Sequence, residues 1–532
     1  MSEPIARHFP RTALALLAAV SLTWVFAAPS AAAPQSRRFP VDLERTSIAQ
    51  LQQAMASHLI TSRQLVSEYL DRIRLLNTHG PGLNAVRMLN PDALEQAERL
   101  DAERRHHHVR GPLHGIPVLV KDNIDVAGLP TTAGALALQH SFPRRDAFLV
   151  GRLRAAGAIV LGKANLTEFA NFTTAGMPSG YSGLGGQVLN PYDASQTPSG
   201  SSSGPAVSAA AALVTITVGT ETSGSILSPS VANSVVGVKP TVGLVSRTGI
   251  VPISATQDTA GPIATSVADA AALLTVLAGI DPADPATAAS RGVAGTDYTK
   301  ALSTTALAGA RIGVASAPTG TAGAVFNAAM DVLRAQGATL VPVTVDTGGL
   351  PPSILPYEFK RDLNAYLATL PADAPMKTLH DVVTFNLANA DAGAVKFGQT
   401  QLVESDNIDL TDPVLRATYE SNRDTGIATA RQHIDSVLQA NSLDAIVFFA
   451  NGSAGIGARA QYPSVAVPVG YDPANGRPVG MTLLGTAFTE SRLLALAFSY
   501  EQASPQRRPP SQVNPSLFRC ALPDGGRRAC AP

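Results

Sequence analysis

The sequence predicts one large α/β unit. Three observations carry that reading. Short apolar runs with strand character alternate with segments of helical periodicity. The chain has 532 residues, 45% of them hydrophobic, enough to bury a sizeable core. No internal repeat and no long biased linker divides it, so the two or three domains that its length would allow reduce to one.

Residues 1–33 read as a secretory signal. Arg7, His8 and Arg11 form a basic start, Thr12 to Ala28 is rich in Ala, Leu and Val, and Ala31-Ala32-Ala33 supplies small residues for cleavage. The run falls short of the roughly 20 apolar residues that a membrane span needs. No cysteine stands near the cleavage point to take a lipid, and no Arg-Arg pair precedes the run. An exported protein, periplasmic or secreted, is therefore expected, without membrane attachment once cleaved. Residues 34–44 read as a linker.

Helical periodicity follows over 47–77, with Thr46 or Ser47 as one cap and Thr61 or Ser62 as the next. Pro91 to Arg105 reads as a third helix, ended by His106-His107-His108. Neighbouring histidines do not converge on one ion, and no Glu or Cys stands at ligand spacing, so a solvated loop is expected and no metal. Residues 115–121 and 158–162 read as buried strands around a helix at 147–156. The Gly- and Ser-dense stretch 176–204 reads as loop, and 206–214 and 267–278 as helices. Strands at 311–316 and 339–345 flank a helix at 324–336. Residues 350–440 are more polar and mostly helical. Strands at 445–449 and 464–469 and a helix at 492–502 close the unit. Residues 506–532 form a tail. Its Cys520 and Cys530 flank an Asp524-Gly525-Gly526 turn, and in an exported protein they most simply form one disulfide.

Acidic and basic residues number 40 each, and 15% of the chain is charged. That balance excludes a basic nucleic-acid binder and a charge-driven disordered chain. Seven of the 40 basic residues are lysine, so a mechanism that needs a lysine has few candidates.

Ser201-Ser202-Ser203 sit between Gly200 and Gly204, and Ser225 follows in GTETSGSI (219–226). Gly turns at opposite ends of one helix–strand unit can fold back beside each other and leave N–H groups free for an oxyanion. Ordinary solvated Gly/Ser loops fit the same spacing. A serine attacks only when a base takes its proton. No G-x-S-x-G elbow is present, and of the histidines only His114 lies in a motif-like segment. Lysine is the other base, if burial lowers its pKa. Lys121 ends an apolar strand and precedes Asp122-Asn123. Taken alone it also fits a strand-end lysine reaching solvent.

GIPVLVKDNID (115–125), TPSGSSSGPAVSAAAA (197–212) and GTETSGSI (219–226) resemble the core segments of the amidase signature family. GKANLTEFAN (162–171), VGVKPTVGLVS (236–246), QDTAGPIATSVADAA (257–271), YPSVAVPVGY (462–471) and GRPVGMTLLG (476–485) agree with it, so the resemblance spans about residues 45 to 505. It implies a single amidase-signature domain, a twisted mixed β-sheet covered by helices. It also implies a catalytic Ser–Ser–Lys set. Ser225 matches the nucleophile, Ser201 the bridging serine of a cis peptide bond and Lys121 the base. The backbone N–H groups of Thr222, Ser223, Gly224 and Ser225 match the oxyanion hole. No cofactor is implied.

Departures are Ser223 where the family has Asp or Gly, Ser199 where Gly is common, and Pro205 where Ser is common. FFANGSAGI around 448–456 also differs, in a region that shapes the family's substrate pocket. The motif Glu with SSSG upstream is closest to peptide amidases, which release ammonia from C-terminal peptide amides.

GAIVLGKA (157–164) fits a P-loop except that Ala164 stands where the Mg²⁺-binding hydroxyl belongs. Asp258 and Arg247 are expected to hold loops around Ser225. Two rivals to an exported amide hydrolase remain. One is an amidotransferase-type subunit of the same family, which the signal segment opposes. The other is a catalytically silent amide- or peptide-binding protein, which has no need of Lys121, Ser201 and Ser225 together.

Overall fold

The first helices begin where hydroxyl groups take up their free N–H donors. Ser47 caps α1 (Ile48–Ala56) and Thr61 caps α2 (Ser62–Arg72), each in a reciprocal box with the glutamine three residues on. The computed structural model describes residues 39–521 and 527–529. The signal-like segment and Cys530 therefore lie outside the described residues. Helix α3 (Ala93–Arg105) stops at His106, and the three histidines are exposed.

The centre is an 11-stranded mixed sheet. In chain order its strands are β1 (Val86–Leu89), β2 (Pro117–Lys121), β3 (Ile159–Ala164), β4 (Ile216–Glu221), β5 (Val236–Lys239) and β6 (Thr259–Ala264). They continue as β7 (Arg311–Val314), β8 (Thr339–Pro342), β9 (Ala445–Phe449), β10 (Ser464–Tyr471) and β11 (Pro478–Leu484). Across the sheet they run β1-β3-β2-β4-β6-β5-β10-β11-β9-β7-β8. The neighbours β3-β2-β4 and β9-β7-β8 are parallel, and the remaining pairs are antiparallel. Every residue of β2, β3 and β4 is buried, as a parallel segment covered on both faces requires.

The helices that cover the sheet are α4 (Phe148–Ala155), α5 (Ser203–Ala210), α6 (Leu227–Ala232), α7 (Val267–Leu277) and α8 (Gly320–Ala335). The more polar region supplies α9 (Leu355–Thr369), α10 (Leu379–Ala388), α11 (Thr400–Asp406) and α12 (Pro413–Ala440). Helices α13 (Ala454–Ala460) and α14 (Glu490–Ala503) complete the layer. Helix α5 starts three residues before its anticipated position. Pro205 is thus its third residue, where a missing N–H costs no intrahelical bond.

One large apolar cluster joins Leu65, Leu149, Leu273, Phe326 and Leu494 to the sheet. A separate cluster gathers Phe359, Leu363, Leu379 and Leu402 of α9–α11 against Phe169, Phe172 and Ile253. That second cluster fixes the polar region over the loops at one end of the sheet.

Strands β1, β5, β6 and β11 went unanticipated. β6 reads TAGPIA, whose Gly and Pro argue against a central strand, yet Pro262 sits opposite Val218 within the sheet. The tail stays on the body. Arg507 Nη1 donates to the Glu44 carbonyl at 3.0 Å and Ser511 Oγ to Glu44 Oε2 at 2.6 Å. Cys520 lies on a short hairpin strand, opposite Arg528.

Candidate active site

Strands β2 and β4 are parallel neighbours, so their C-terminal ends deliver two chain segments to one edge of the sheet. Lys121, the last residue of β2, is fully buried. Its Nζ donates to Ser201 Oγ at 2.7 Å, to Thr220 Oγ1 at 2.9 Å and to the Thr220 carbonyl at 3.3 Å. Asn123 Nδ2 donates to the same Thr220 Oγ1 at 3.0 Å. Burial draws the amine from its ordinary 10.5 down to about 7, opposed by the more distant charges of Asp258 and Glu221.

The three consecutive serines have three different partners. Ser202 Oγ donates to the Thr220 carbonyl at 3.0 Å and accepts the Thr220 N–H at 3.2 Å. Ser203 Oγ donates to the Ser199 carbonyl at 2.7 Å. Ser201 alone faces the lysine. Its own carbonyl accepts the Thr167 N–H at 3.1 Å, and the Gly200–Ser201 peptide bond is cis.

Ser225 is 8% exposed. Its carbonyl accepts the Ser202 N–H at 3.1 Å, which seats the two serine-bearing turns against each other. At the end of β4, Glu221 Oε2 accepts the N–H groups of Ile226 (2.7 Å) and Leu227 (2.9 Å) at the start of α6. Gly224 turns the chain at φ +86°, a conformation that side chains oppose. Among the described residues nothing accepts the backbone N–H groups of Thr222, Ser223, Gly224 or Ser225.

Asp258 steadies this loop from behind. Its Oδ1 accepts from Thr222 Oγ1 at 2.5 Å, and its Oδ2 accepts the N–H groups of Ile253 and Ser254 at 2.7 and 2.9 Å. Burial lifts its carboxyl to about 6. Arg247 pairs with Asp284 at 2.5 Å and donates to the Ala255 carbonyl. It thus pins the same 247–258 segment.

The other sequence candidates lie apart from the cluster. Lys163 of the P-loop-like stretch lies inside β3 and pairs with Asp122. His114 is a buried core residue whose Nε2 meets the Leu100 carbonyl at 3.0 Å. Thr220 and Asn123, which hold Lys121 in place, were passed over although both stand inside the quoted motifs. A buried lysine needs acceptors, and hydroxyl-bearing residues beside it were the signal. Cavities of about 360 and 350 Å³ border the 219–226 loop, one reaching Asn123, Thr220 and Thr222, the other Ser223.

This arrangement offers a desolvated amine, a hydroxyl in contact with it, a second serine on an adjoining turn and free N–H donors beside that serine. The family model described as Amidase matches residues 64–448. A probable amidase of Arabidopsis thaliana is 40% identical over 485 residues, covering 88% of this chain and 92% of that protein. The native peptide amidase of Stenotrophomonas maltophilia superposes with a TM-score of 0.82 at 46% identity, covering 88% of this chain and 98% of that one. A glutamyl-tRNA(Gln) amidotransferase component from an Anaeromyxobacter species is 34% identical over 511 residues, covering 88% of this chain and 98% of that protein. The chain belongs to the amidase family, hydrolases of amide C–N bonds.

Proposed function

We propose that this chain is an exported amide hydrolase that works through an acyl-enzyme on Ser225. The observation that carries the reading is the contact of the buried, carboxylate-free Lys121 Nζ with Ser201 Oγ at 2.7 Å. With its pKa near 7, a large share of Lys121 is neutral at neutral pH and has a lone pair to offer. Lys121 takes the Ser201 proton as Ser201 takes that of Ser225. Ser225 Oγ then bonds to the amide carbon, and the carbonyl electrons move to oxygen. The free N–H groups of Thr222, Ser223, Gly224 and Ser225 stabilise that oxyanion. The C–N bond breaks as the proton returns through Ser201 to the leaving nitrogen. Water cleaves the acyl ester by the same relay.

The 46% identity to a peptide amidase supports a C-terminal peptide amide as substrate. The likeness to the amidotransferase component supports the rival assembly role, which the signal-like residues 1–33 oppose. Export rests on those residues, and an N terminus at Pro34 in protein recovered from periplasm or medium would support it.

The test is ammonia release from peptide amides, small aliphatic amides and free-carboxylate peptides, with anilides and esters followed through their amine and acid products. Ser225→Ala should lower kcat by about 10⁴-fold or more with the fold intact. Substantial residual turnover overturns the mechanism. A protein that takes no fluorophosphonate at Ser225 and hydrolyses nothing is the silent binder instead.

A further inference from the structure

The second cavity beside the oxyanion loop holds an arginine with no acid. Its volume is about 350 Å³, within the range of ligand pockets. Ser223, Gln257, Thr347 and Ser353 are its neutral polar lining, and Gln257 Nε2 donates to the Thr222 carbonyl at 3.4 Å, tying the cavity to the loop. Leu350, Leu355 and Ile456 form the apolar wall. Arg459, on α13, completes the lining.

Two arginines of α9 and α12 have carboxylate partners, whereas Arg431 of α12 is taken up by the Ala460 carbonyl at 3.1 Å and Gln461 Oε1 at 2.7 Å. Arg361 pairs with Glu358 and Asp362, and Arg423 with Asp424. Arg459 is half-buried, and among the described residues no carboxylate lies within ion-pair distance of it. Among the described residues its one side-chain hydrogen bond runs from Nη2 to the Pro351 carbonyl at 3.3 Å. Gly426 of α12 makes room for it, since a side chain there would meet Nη1 at 3.1 Å. Burial lowers its pKa with no acid to oppose the fall. A guanidinium partly withdrawn from water with one carbonyl contact has donors left over, and the planar group that best satisfies them is a carboxylate.

We propose that this cavity receives the acyl side of the amide, and that Arg459 makes it select acyl chains carrying a carboxylate, such as a glutamyl or aspartyl residue at or next to the amide. The inference rests on the amidase reading and deepens it. The neutral apolar wall holds the methylene stem, while the guanidinium takes the acid head in charge-assisted hydrogen bonds.

The experiment compares kcat/KM for blocked peptide amides with Glu or its neutral isostere Gln at the last and the penultimate position. Wild type should prefer Glu by about tenfold or more at one of the two. Arg459→Leu should bring that ratio to near one, Arg459→Lys should retain part of it, and Arg459→Glu should invert it toward a lysyl amide. A wild-type ratio near one overturns the inference without any variant. So does an unchanged ratio in an Arg459→Leu protein that melts cooperatively. Ammonia release from neutral amides with no glutamyl preference sinks only this assignment, whereas silence on every amide sinks the amidase reading beneath it.

Discussion

Two lysines sit close to the C-terminal ends of neighbouring parallel strands, Lys121 as the last residue of β2 and Lys163 as the last but one of β3, and both are fully buried. Lys163 pairs in register with Val120, so the alternation of the strand sends the two side chains to opposite faces of the sheet. Lys163 lies 3.2 Å from Asp122 Oδ1 and donates to Thr131 Oγ1 at 3.0 Å. Asp122 also pairs with Arg87 and accepts from Thr132 Oγ1. Lys121 has three oxygens around it, and none belongs to a carboxylate. Burial draws both amines down, and at Lys163 the charges of Asp122 and Asp125 oppose the fall at close range. Both amines are desolvated, but Lys163 has a counterion in contact, whereas Lys121 has only hydroxyl and carbonyl groups, as the proposed role of base requires. Asp122 directly follows Lys121 in sequence but gives its carboxylate to the other lysine.

The comparison breaks most visibly by removing each amine in turn. Lys121→Met should lower kcat by about 10²–10⁴-fold and leave the thermal midpoint at or above that of wild type, because an apolar chain replaces a desolvated amine. Lys163→Met should do the reverse. It leaves Asp122 buried with Arg87 as its remaining cation, which costs about 3 kcal/mol of stability, while the folded fraction keeps most of its turnover. Ammonia release per folded molecule, with urea unfolding of each variant, checks both. Equal inactivity of the two folded variants would dissolve the distinction.

The pH dependence sharpens it. In the proposed mechanism the base is the neutral amine, so kcat/KM should rise with pH through about 7 and level off above. Stability should rise as well. Between about 7 and 10.5 the unfolded chain holds a proton on Lys121 that the folded chain has released, so unfolding takes up a proton and becomes less favourable as pH increases. Lys121→Met should lose that part of the rise. Urea midpoints at pH 7 and pH 10 for the pair of proteins measure it, and an equal rise in both would mean that Lys121 is charged when folded.

Much of this site was legible because the motifs are contiguous. GIPVLVK showed the strand that buries Lys121, and the two Gly/Ser turns showed where free N–H donors would lie. What the sequence did not show was contact across distance. The family resemblance pointed to Ser201, but nothing in the residue types of Ser201-Ser202-Ser203 says why that hydroxyl meets the lysine; Ser202 and Ser203 are turned away by the Thr220 and Ser199 carbonyls. Ala164 argued against a phosphate-binding role for Lys163, but nothing pointed to its actual partner, a carboxylate 41 positions away by number and adjacent only in the sheet. β6 was hidden because Gly261 and Pro262 disguise a strand whose pairing comes from β4. Arg459 showed nothing unusual until its lack of an acid became visible in three dimensions.

The smallest effect tests whether charge acts on Lys121 without touching it. Asp258 is not in contact with the amine, yet its negative charge opposes the fall of the Lys121 pKa. Asp258→Asn should therefore let the amine drop further and move the acid limb of kcat/KM toward lower pH. The amide keeps the local geometry. Its oxygen can face the Ile253 and Ser254 N–H groups, and its NH₂ can donate to Thr222 Oγ1, which then accepts where it donated before. The plateau rate should accordingly change less than the position of the limb. A pH–rate profile on one peptide amide separates the two contributions. A lowered plateau with an unmoved limb would mean that Asp258 matters only as the anchor of Thr222. A limb displaced at constant plateau would show that a carboxylate held out of contact raises the pKa of Lys121, in the same sense as Asp122 opposes the fall at Lys163.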